Sequence, residues 1–259
     1  MLTAAGAALV VVVAVLVVHL QRARHRERLL VRRLATSAGE LEALQRAFSR
    51  FAPAQVVDDI VAQGVSTHPE KKEVTVLFAD LRNFTSLSER LDADVLVQML
   101  NGWFERMSRT IADHRGHVAK FIGDGVMAHF GALETNPWQT NDAVHAALAM
   151  RAALGDYNAT LVGRGLPALA MGVGIHRGVV VAGVIGSAEL VEYGVIGATV
   201  NVASRVERLT RVHDVDVLVT DAARAALDRR FQLRAMPPAE VKGVSAALST
   251  WAVDGFDDH

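Results

Sequence analysis

The stretch V-T-V-L-F-A-D, residues 74–80, decides the fold of this chain together with K-F-I-G-D-G, residues 120–125. Each stretch carries apolar residues up to an aspartate, which predicts two buried strands that end on carboxylates, Asp80 and Asp124. Two carboxylates brought together by folding can share a divalent cation. The pair therefore predicts metal-assisted chemistry on a phosphate.

The residues after Lys72 alternate between strand-like and helix-like patterns. The patterns predict strands over 74–80, 117–123, 125–130, 168–175, 178–185, 216–220 and 244–253, and helices over 92–113, 138–157 and 199–210, with a short helix before the last strand. Gly123 and Gly125 flank Asp124 and predict a tight turn. Interleaved helices and hairpins favour an α+β, ferredoxin-like split βαβ sandwich over a doubly wound sheet.

Two features bound this domain and its glycine-rich part. The hydrophilic stretch 66–73 predicts the start of the domain, which we place at 66–259. The glycines between 172 and 186 fit a strand-turn-strand pattern, because a dinucleotide-binding fingerprint would open a helix.

The composition excludes several kinds of chemistry. The chain has no cysteine, so it has no disulfides, thiolate zinc sites or cysteine nucleophiles. Its 27 Lys and Arg residues are balanced by 28 Asp and Glu residues among 259, which gives no reason to expect nucleic acid as a partner. Any metal must be held by oxygen or nitrogen ligands.

The first 20 residues predict a membrane anchor. Residues 2–20 carry no charge and are about long enough, as a helix, to cross a bilayer core of roughly 30 Å. A cleaved signal peptide is the alternative, but the chain lacks its basic start and small-residue cleavage site. The arginines that follow predict a cytoplasmic flank: Arg22, Arg24, Arg26, Arg28, Arg32 and Arg33. We expect a single-pass protein of the cell (inner) membrane with everything after the span in the cytoplasm.

Residues 21–65 predict a basic juxtamembrane flank and a helical connector. Its apolar residues follow a 3-4 spacing over about three heptads: Leu30, Leu34, Leu41, Leu44, Phe48 and Phe51. This spacing is typical of a short parallel coiled-coil dimer, although an amphipathic helix lying on its own domain fits it almost as well. Pro53 ends the helix.

Four motifs resemble the class III nucleotidyl cyclase catalytic domain, as found in bacterial membrane-anchored cyclases. They are F-A-D-L-R-N-F-T-S-L-S-E-R (78–90), K-F-I-G-D-G-V-M-A-H-F-G (120–131), G-V-G-I-H-R-G (172–178) and I-G-A-T-V-N-V-A-S-R-V-E (196–207). The resemblance covers residues 74–253, and residues 48–60 resemble the helical transducer that precedes many bacterial cyclase domains.

The resemblance implies a role for each matching position. It assigns two Mg²⁺ or Mn²⁺ ions to the carboxylates of Asp80 and Asp124 and the backbone carbonyl of Leu81. It assigns ribose positioning to Asn201 and transition-state stabilisation to Arg205. It assigns substrate binding to Lys120 at the adenine, Lys242 at the triphosphate, Gly194 at the base-contacting position, and Phe84 and Thr85 of the first motif.

The base-contacting position departs from the family pattern. Gly194 follows Tyr193 where the adenylate pattern often has aspartate or threonine. Loss of one hydrogen bond costs about 0.5–1.5 kcal/mol, so we expect weaker discrimination between ATP and GTP. Lys120 still favours adenine, because the guanylate pattern usually has glutamate there.

The expected function is that of a membrane-anchored, homodimeric adenylate cyclase with ATP as substrate and its active sites shared between two chains. A guanylate or dual-specificity cyclase is one alternative. Another is a different two-metal phosphoryl-transfer domain, such as a diguanylate cyclase, which the T-V-N-V-A-S-R helix disfavours. A nucleotide-binding regulatory module without turnover is the third.

Overall fold

The computed structural model describes residues 69–187, 191–240 and 247–257, together with Thr36 and Gly39. The membrane helix, basic flank and coiled coil predicted within residues 1–65 therefore lie outside the described residues, and so does Lys242. Within the described part, no helix combines the length and the apolar character needed to cross a bilayer. The sheet and helices below belong to the unit of residues 62–259.

The described residues contain eight strands and five helices. The strands are β1 (Glu70–Leu81), β2 (His117–Ile122), β3 (Gly125–Phe130), β4 (Met171–Gly186), β5 (Val191–Ile196), β6 (Val217–Thr220), β7 (Phe231–Ala235) and β8 (Thr250–Phe256). The helices are α1 (Phe84–Ser88), α2 (Ala93–Asp113), α3 (Gln139–Gly163), α4 (Ala198–His213) and α5 (Asp221–Arg224).

The strands form one sheet in the order β2-β3-β1-β4-β6-β8-β7, and β5 pairs with β4 outside this path. β1 lies between β3 and β4 and is antiparallel to both. The connections β1-α2-β2 and β3-α3-β4 each skip over one strand, which is the split βαβ arrangement. The fold confirms the α+β prediction.

Helices α2 and α3 cover one face of the sheet. The buried residues of α2 recur every four positions, Met99, Trp103, Met107 and Ile111, so one stripe of the helix faces the core. Tyr157 of α3 donates its hydroxyl to the carbonyl oxygen of Met99 at 2.8 Å, which fixes the two helices against each other. The strand ends that carry the site are thereby held on a packed core.

The glycine-rich segment is one continuous strand of 16 residues, β4, and the predicted turn near residue 176 was wrong. The glycines there admit helix α4. A Cβ atom on Gly174 would overlap the backbone nitrogen of Glu207, and one on Gly172 would overlap Oγ1 of Thr210. A glycine inside a strand can mark the close approach of another backbone, and here it does.

Other boundaries also differ from the prediction. β1 begins at Glu70, inside the stretch expected to be a boundary, because its first four residues pair with residues 179–182 of β4. Helix α3 continues to Gly163, and β8 begins at Thr250 instead of residue 244. β5, β7 and the short helix α1 were missed; among the described residues, β5 and β7 each pair with a single neighbouring strand.

Candidate active site

Asp80 and Asp124 come together where β1 ends beside the β2–β3 hairpin. Asp80 is the penultimate residue of β1 and is paired with Gly172 of β4. Asp124 lies in the turn after Gly123, whose φ of 62° needs a residue that tolerates the left-handed region. A Cβ on Gly125 would lie 3.1 Å from Oδ2 of Asp80, so the hairpin backbone runs directly against this carboxylate.

The pKa of Asp80 depends on burial and on the charges around it. Burial raises the pKa of Asp80 above its usual value, and the negative charge of Asp124 raises it further. The positive charge of Arg211 acts in the opposite direction, because its guanidinium donates to Oδ1 of Asp80. The same nitrogen of Arg211 donates to the carbonyl oxygen of Leu81 at 3.2 Å. Arg211 thus engages two of the oxygens that the family resemblance assigns to metal.

A third carboxyl group, that of Glu207, lies beside this pair. Its side chain is buried, and no hydrogen-bond partner is found for Oε1 among the described residues. Burial raises its pKa to about 7, and the charge of Asp80 adds to the shift. Arg211, one turn further along α4, approaches Oε1 to 3.9 Å. The sequence analysis missed both residues: an acid and a base four residues apart on a helix indicate contact with each other, but not with a strand elsewhere in the chain.

The atoms of this site that could coordinate a metal ion are all oxygen atoms. In the described ranges, no group of three or more His, Asp or Glu side chains is arranged to hold a metal ion. The carboxylates of Asp80 and Asp124 and the carbonyl of Leu81 form a smaller set, into which Arg211 places its positive charge. Such a set suits a hard cation such as Mg²⁺ or Mn²⁺, which completes its coordination with water and substrate phosphates.

The residues after β1 are anchored by Arg82. Its backbone nitrogen donates to the carbonyl of Ala170 at 2.7 Å, and its guanidinium donates to the carbonyl of Val215 at 2.6 Å. Helix α1 then presents Phe84 and Thr85 directly beyond the site. Phe84 packs against the main core, whereas Thr85 is exposed.

Lys120 and Gly194 lie on strands that do not pair with each other, β2 and β5. The ammonium group of Lys120 donates to Oε1 of Glu192 at 2.5 Å. Because Glu192 and Gly194 are two residues apart on β5, they share a face of that strand. The structure therefore brings Lys120 near the position that the sequence identified as unusual.

Asn201 and Arg205 lie on α4, on a different face of the helix from Glu207 and Arg211. Arg205 and Glu207 are two residues apart, which places them about 200° apart around a helix. Among the described residues, the positive charges that lower the pKa of Asp80 come from Arg211 and Arg208, and Arg205 is not one of them. Asn201 is exposed and Arg205 is partly exposed.

This split βαβ topology, with one carboxylate at the end of the central strand and another in the adjacent hairpin, defines a domain of the nucleotidyl cyclase class. The sequence model of the protein family "adenylate and guanylate cyclase catalytic domain" matches residues 66–255. The chain belongs to this family.

Individual relatives and solved structures agree with this assignment. An adenylate cyclase of Anabaena cylindrica is 34% identical over 242 residues, which are 85% of this chain and 47% of that protein. The chain thus spans about half the length of that relative. The crystal structure of the guanylyl cyclase Cya2 is 34% identical, with a TM-score of 0.70 over 73% of this chain and 95% of that one. The adenylyl cyclase CyaB from P. aeruginosa is 28% identical, with a TM-score of 0.69 over 74% and 98%.

Proposed function

We propose that the chain is an adenylate cyclase that converts ATP to 3′,5′-cyclic AMP and pyrophosphate. The observation that carries the proposal is the carboxylate pair: Asp124 perturbs the pKa of Asp80 at the hairpin, within a domain of the cyclase family. Lys120 favours adenine as the base. The adenylate cyclase from Anabaena supports the same substrate.

The side chains divide the reaction between them. Asp80, Asp124 and the carbonyl of Leu81 would hold two Mg²⁺ or Mn²⁺ ions, which when bound supply Lewis acidity at the ribose 3′-hydroxyl and neutralise the triphosphate. Asn201 orients the ribose so that its 3′ oxygen faces the α-phosphorus. Arg205 presents a forked, permanently charged group to the oxygen that gains negative charge as pyrophosphate leaves. Lys242 binds the triphosphate, and Phe84 and Thr85 border it.

The proposal places each active site between two copies of the chain. Helix α4 directs Glu207 and Arg211 toward Asp80, so Asn201 and Arg205, four residues apart on the other side, are available to a second copy. Phe121 and Ile122, beside the hairpin, are each 50% exposed, which is typical of a surface that a partner covers. A symmetric dimer then carries two equivalent sites.

The remaining part of the proposal concerns residues 1–65. Residues 1–20 form a single-pass helix in the cell (inner) membrane, and residues 21–65 form the basic flank and coiled-coil connector of the dimer. The domain of residues 66–259 is then cytoplasmic. The uncharged run 2–20 and the arginine-rich flank support this arrangement.

A guanylate or dual-specificity cyclase is the second candidate. Gly194 lacks a side chain that could read the base, and the guanylyl cyclase Cya2 matches at 34% identity. Comparison of ATP and GTP turnover by the same preparation distinguishes the two candidates. A higher kcat/KM for GTP than for ATP would make guanylate cyclase, and not adenylate cyclase, the function of this chain.

The proposal is tested with the purified full chain, ATP and Mn²⁺, measuring cyclic AMP and pyrophosphate in equal amounts. Asp80→Ala and Asp124→Ala should each abolish product, whereas Asp113→Ala, which removes an exposed aspartate at the end of α2, should not. ATP binding without any product would indicate a regulatory module. Pyrophosphate without a cyclic mononucleotide would indicate another phosphoryl-transfer domain.

A further inference from the structure

Lys120 and Glu192 form an ion pair between two strands that are not hydrogen-bonded to each other. Nζ of Lys120 lies 2.5 Å from Oε1 of Glu192, and the two side chains keep 41% and 53% of their surface exposed. The pair therefore presents a hydrogen-bond donor and an acceptor side by side to an incoming ligand. An exposed ion pair contributes little to stability, so both groups can exchange each other for a ligand at little cost.

Gly194 adds no side chain beside this pair. Glu192 and Gly194 point to the same face of β5 and are about 6.6 Å apart along the strand. Gly194 lies opposite another glycine, Gly183 of β4. Among the described residues, a Cβ on Gly194 would contact only Cδ1 of Ile185, at 3.6 Å. The backbones of Gly194 and Gly183 are both buried, so a ligand approaches the pair from the side on which Lys120 and Glu192 are exposed.

We propose that Glu192 accepts a hydrogen bond from the 6-amino group of adenine and so supplies the acceptor that Gly194 lacks, while Lys120 donates to the neighbouring ring nitrogen. This inference rests on the proposed function, because it names how the same site selects its substrate. It makes Glu192 a specificity-determining residue.

The order of the two groups distinguishes adenine from guanine. The edge of adenine presents an acceptor at N1 and a donor at the 6-amino group, which matches an ammonium at N1 and a carboxylate at the 6-position. Guanine in the same place would direct its N1–H toward Lys120 and its O6 toward Glu192. Both contacts would be repulsive, so the pair selects for ATP despite the missing side chain.

The inference is tested by combining two changes, one in the protein and one in the substrate. Wild type, Glu192→Ala and the control Glu105→Ala are assayed with ATP and with purine riboside triphosphate, which lacks the 6-amino group. Glu105 also forms an exposed ion pair with an arginine, on α2. We expect wild type and control to prefer ATP about 10-fold in kcat/KM, and Glu192→Ala to show almost no preference. Displacement of a fluorescent ATP analogue measures the same ratio without turnover.

The substitution Glu192→Gln gives an independent result. Its amide can still accept from the 6-amino group and can also donate to a 6-oxo group, so inosine triphosphate should gain several-fold relative to ATP. If Glu192→Ala lowers kcat/KM equally for ATP and for purine riboside triphosphate, Glu192 only orients Lys120. That result would overturn the inference. If wild type binds nucleotide but forms no cyclic product, the proposed function fails, while the binding ratio still decides the role of Glu192.

Discussion

The guanidinium of Arg211 is paired with the carboxylate of Asp80 across 131 residues of sequence. The same nitrogen reaches the carbonyl oxygen of Leu81. A cation that bound to these two oxygens would meet the positive charge of Arg211 at close range. Arg211 therefore acts as an internal counter-ion of the site, and metal binding has to move it or work against it.

Replacement of Arg211 by alanine should increase the affinity for metal. We expect Mn²⁺ to bind the full chain about 3- to 10-fold more tightly in Arg211→Ala, because a competing charge about half exposed to solvent is removed. Titration followed by the Mn²⁺ electron paramagnetic resonance signal measures this affinity in the absence of nucleotide.

The control for that experiment is Arg208→Ala. Arg208 lies on the same helix and its charge also reaches Asp80, but it is exposed, and no hydrogen bond to Asp80 is found for it in the described part of the chain. It should therefore change Mn²⁺ affinity by a smaller factor. Equal or weaker binding in Arg211→Ala than in wild type would show that the guanidinium does not compete with metal.

The close packing of α4 on β4 should make Gly174 intolerant of a side chain. In Gly174→Ala the new methyl group would overlap the backbone of Glu207, and backbone can yield only if the whole helix moves. We expect a loss of about 1–3 kcal/mol in the free energy of unfolding, measured by urea denaturation.

Gly194→Ala is the matched control, because it places the same methyl group on the neighbouring strand β5. There the nearest described atom is 3.6 Å away, an ordinary contact, so the stability should change by less than about 1 kcal/mol. If Gly174→Ala lowers the free energy of unfolding no more than Gly194→Ala does, α4 can shift away from β4 without loss of stability.

The sequence predicted the residues that follow a local pattern and missed those whose role depends on distant contacts. Asp80 and Asp124 were found because each ends an apolar run, which is a local pattern. The continuity of β4 was missed because its glycines resemble turns until α4 is seen packed against them. Glu207 and Arg211 were missed because their importance comes from a strand more than a hundred residues away. Local periodicity carries no information about such contacts.

The burial of His129 should make the protein sensitive to acid. Both ring nitrogens of His129 are buried, and neither has a hydrogen-bond partner in the part of the chain that the structure describes. Burial lowers its pKa from 6.5 to about 3, and the nearby His117 adds to the effect. Between these pH values the unfolded chain binds a proton that the folded chain does not. The stability is therefore full above pH 6.5 and is lost as the pH falls toward 3.

The substitution His129→Leu isolates this contribution. As the pH falls from 7 to 5, wild type should lose about 2 kcal/mol more of its free energy of unfolding than the variant does. Urea denaturation at the two pH values measures both losses. The comparison uses the change with pH within each protein, so the different packing of leucine cancels. Parallel pH profiles would show that His129 is protonated in the folded protein or reaches water.

Mixing two inactive variants tests whether the site is shared between chains. Asp80→Ala and Arg205→Ala should each be inactive alone, since every site in either homodimer lacks one essential group. In a mixed dimer, one site combines both substitutions and the other combines the intact Asp80 of one chain with the intact Arg205 of its partner. With random pairing, half of the dimers are mixed and half of their sites are complete, so we expect about 25% of wild-type activity.

Mixing Asp80→Ala with Asp124→Ala is the control, because both residues belong to the same half-site and no complete site can form. Activity in the first mixture and none in the second would assign the two half-sites to different chains. No recovery in the first, with mixed dimers demonstrated by two affinity tags, would place Asp80 and Arg205 in the same chain.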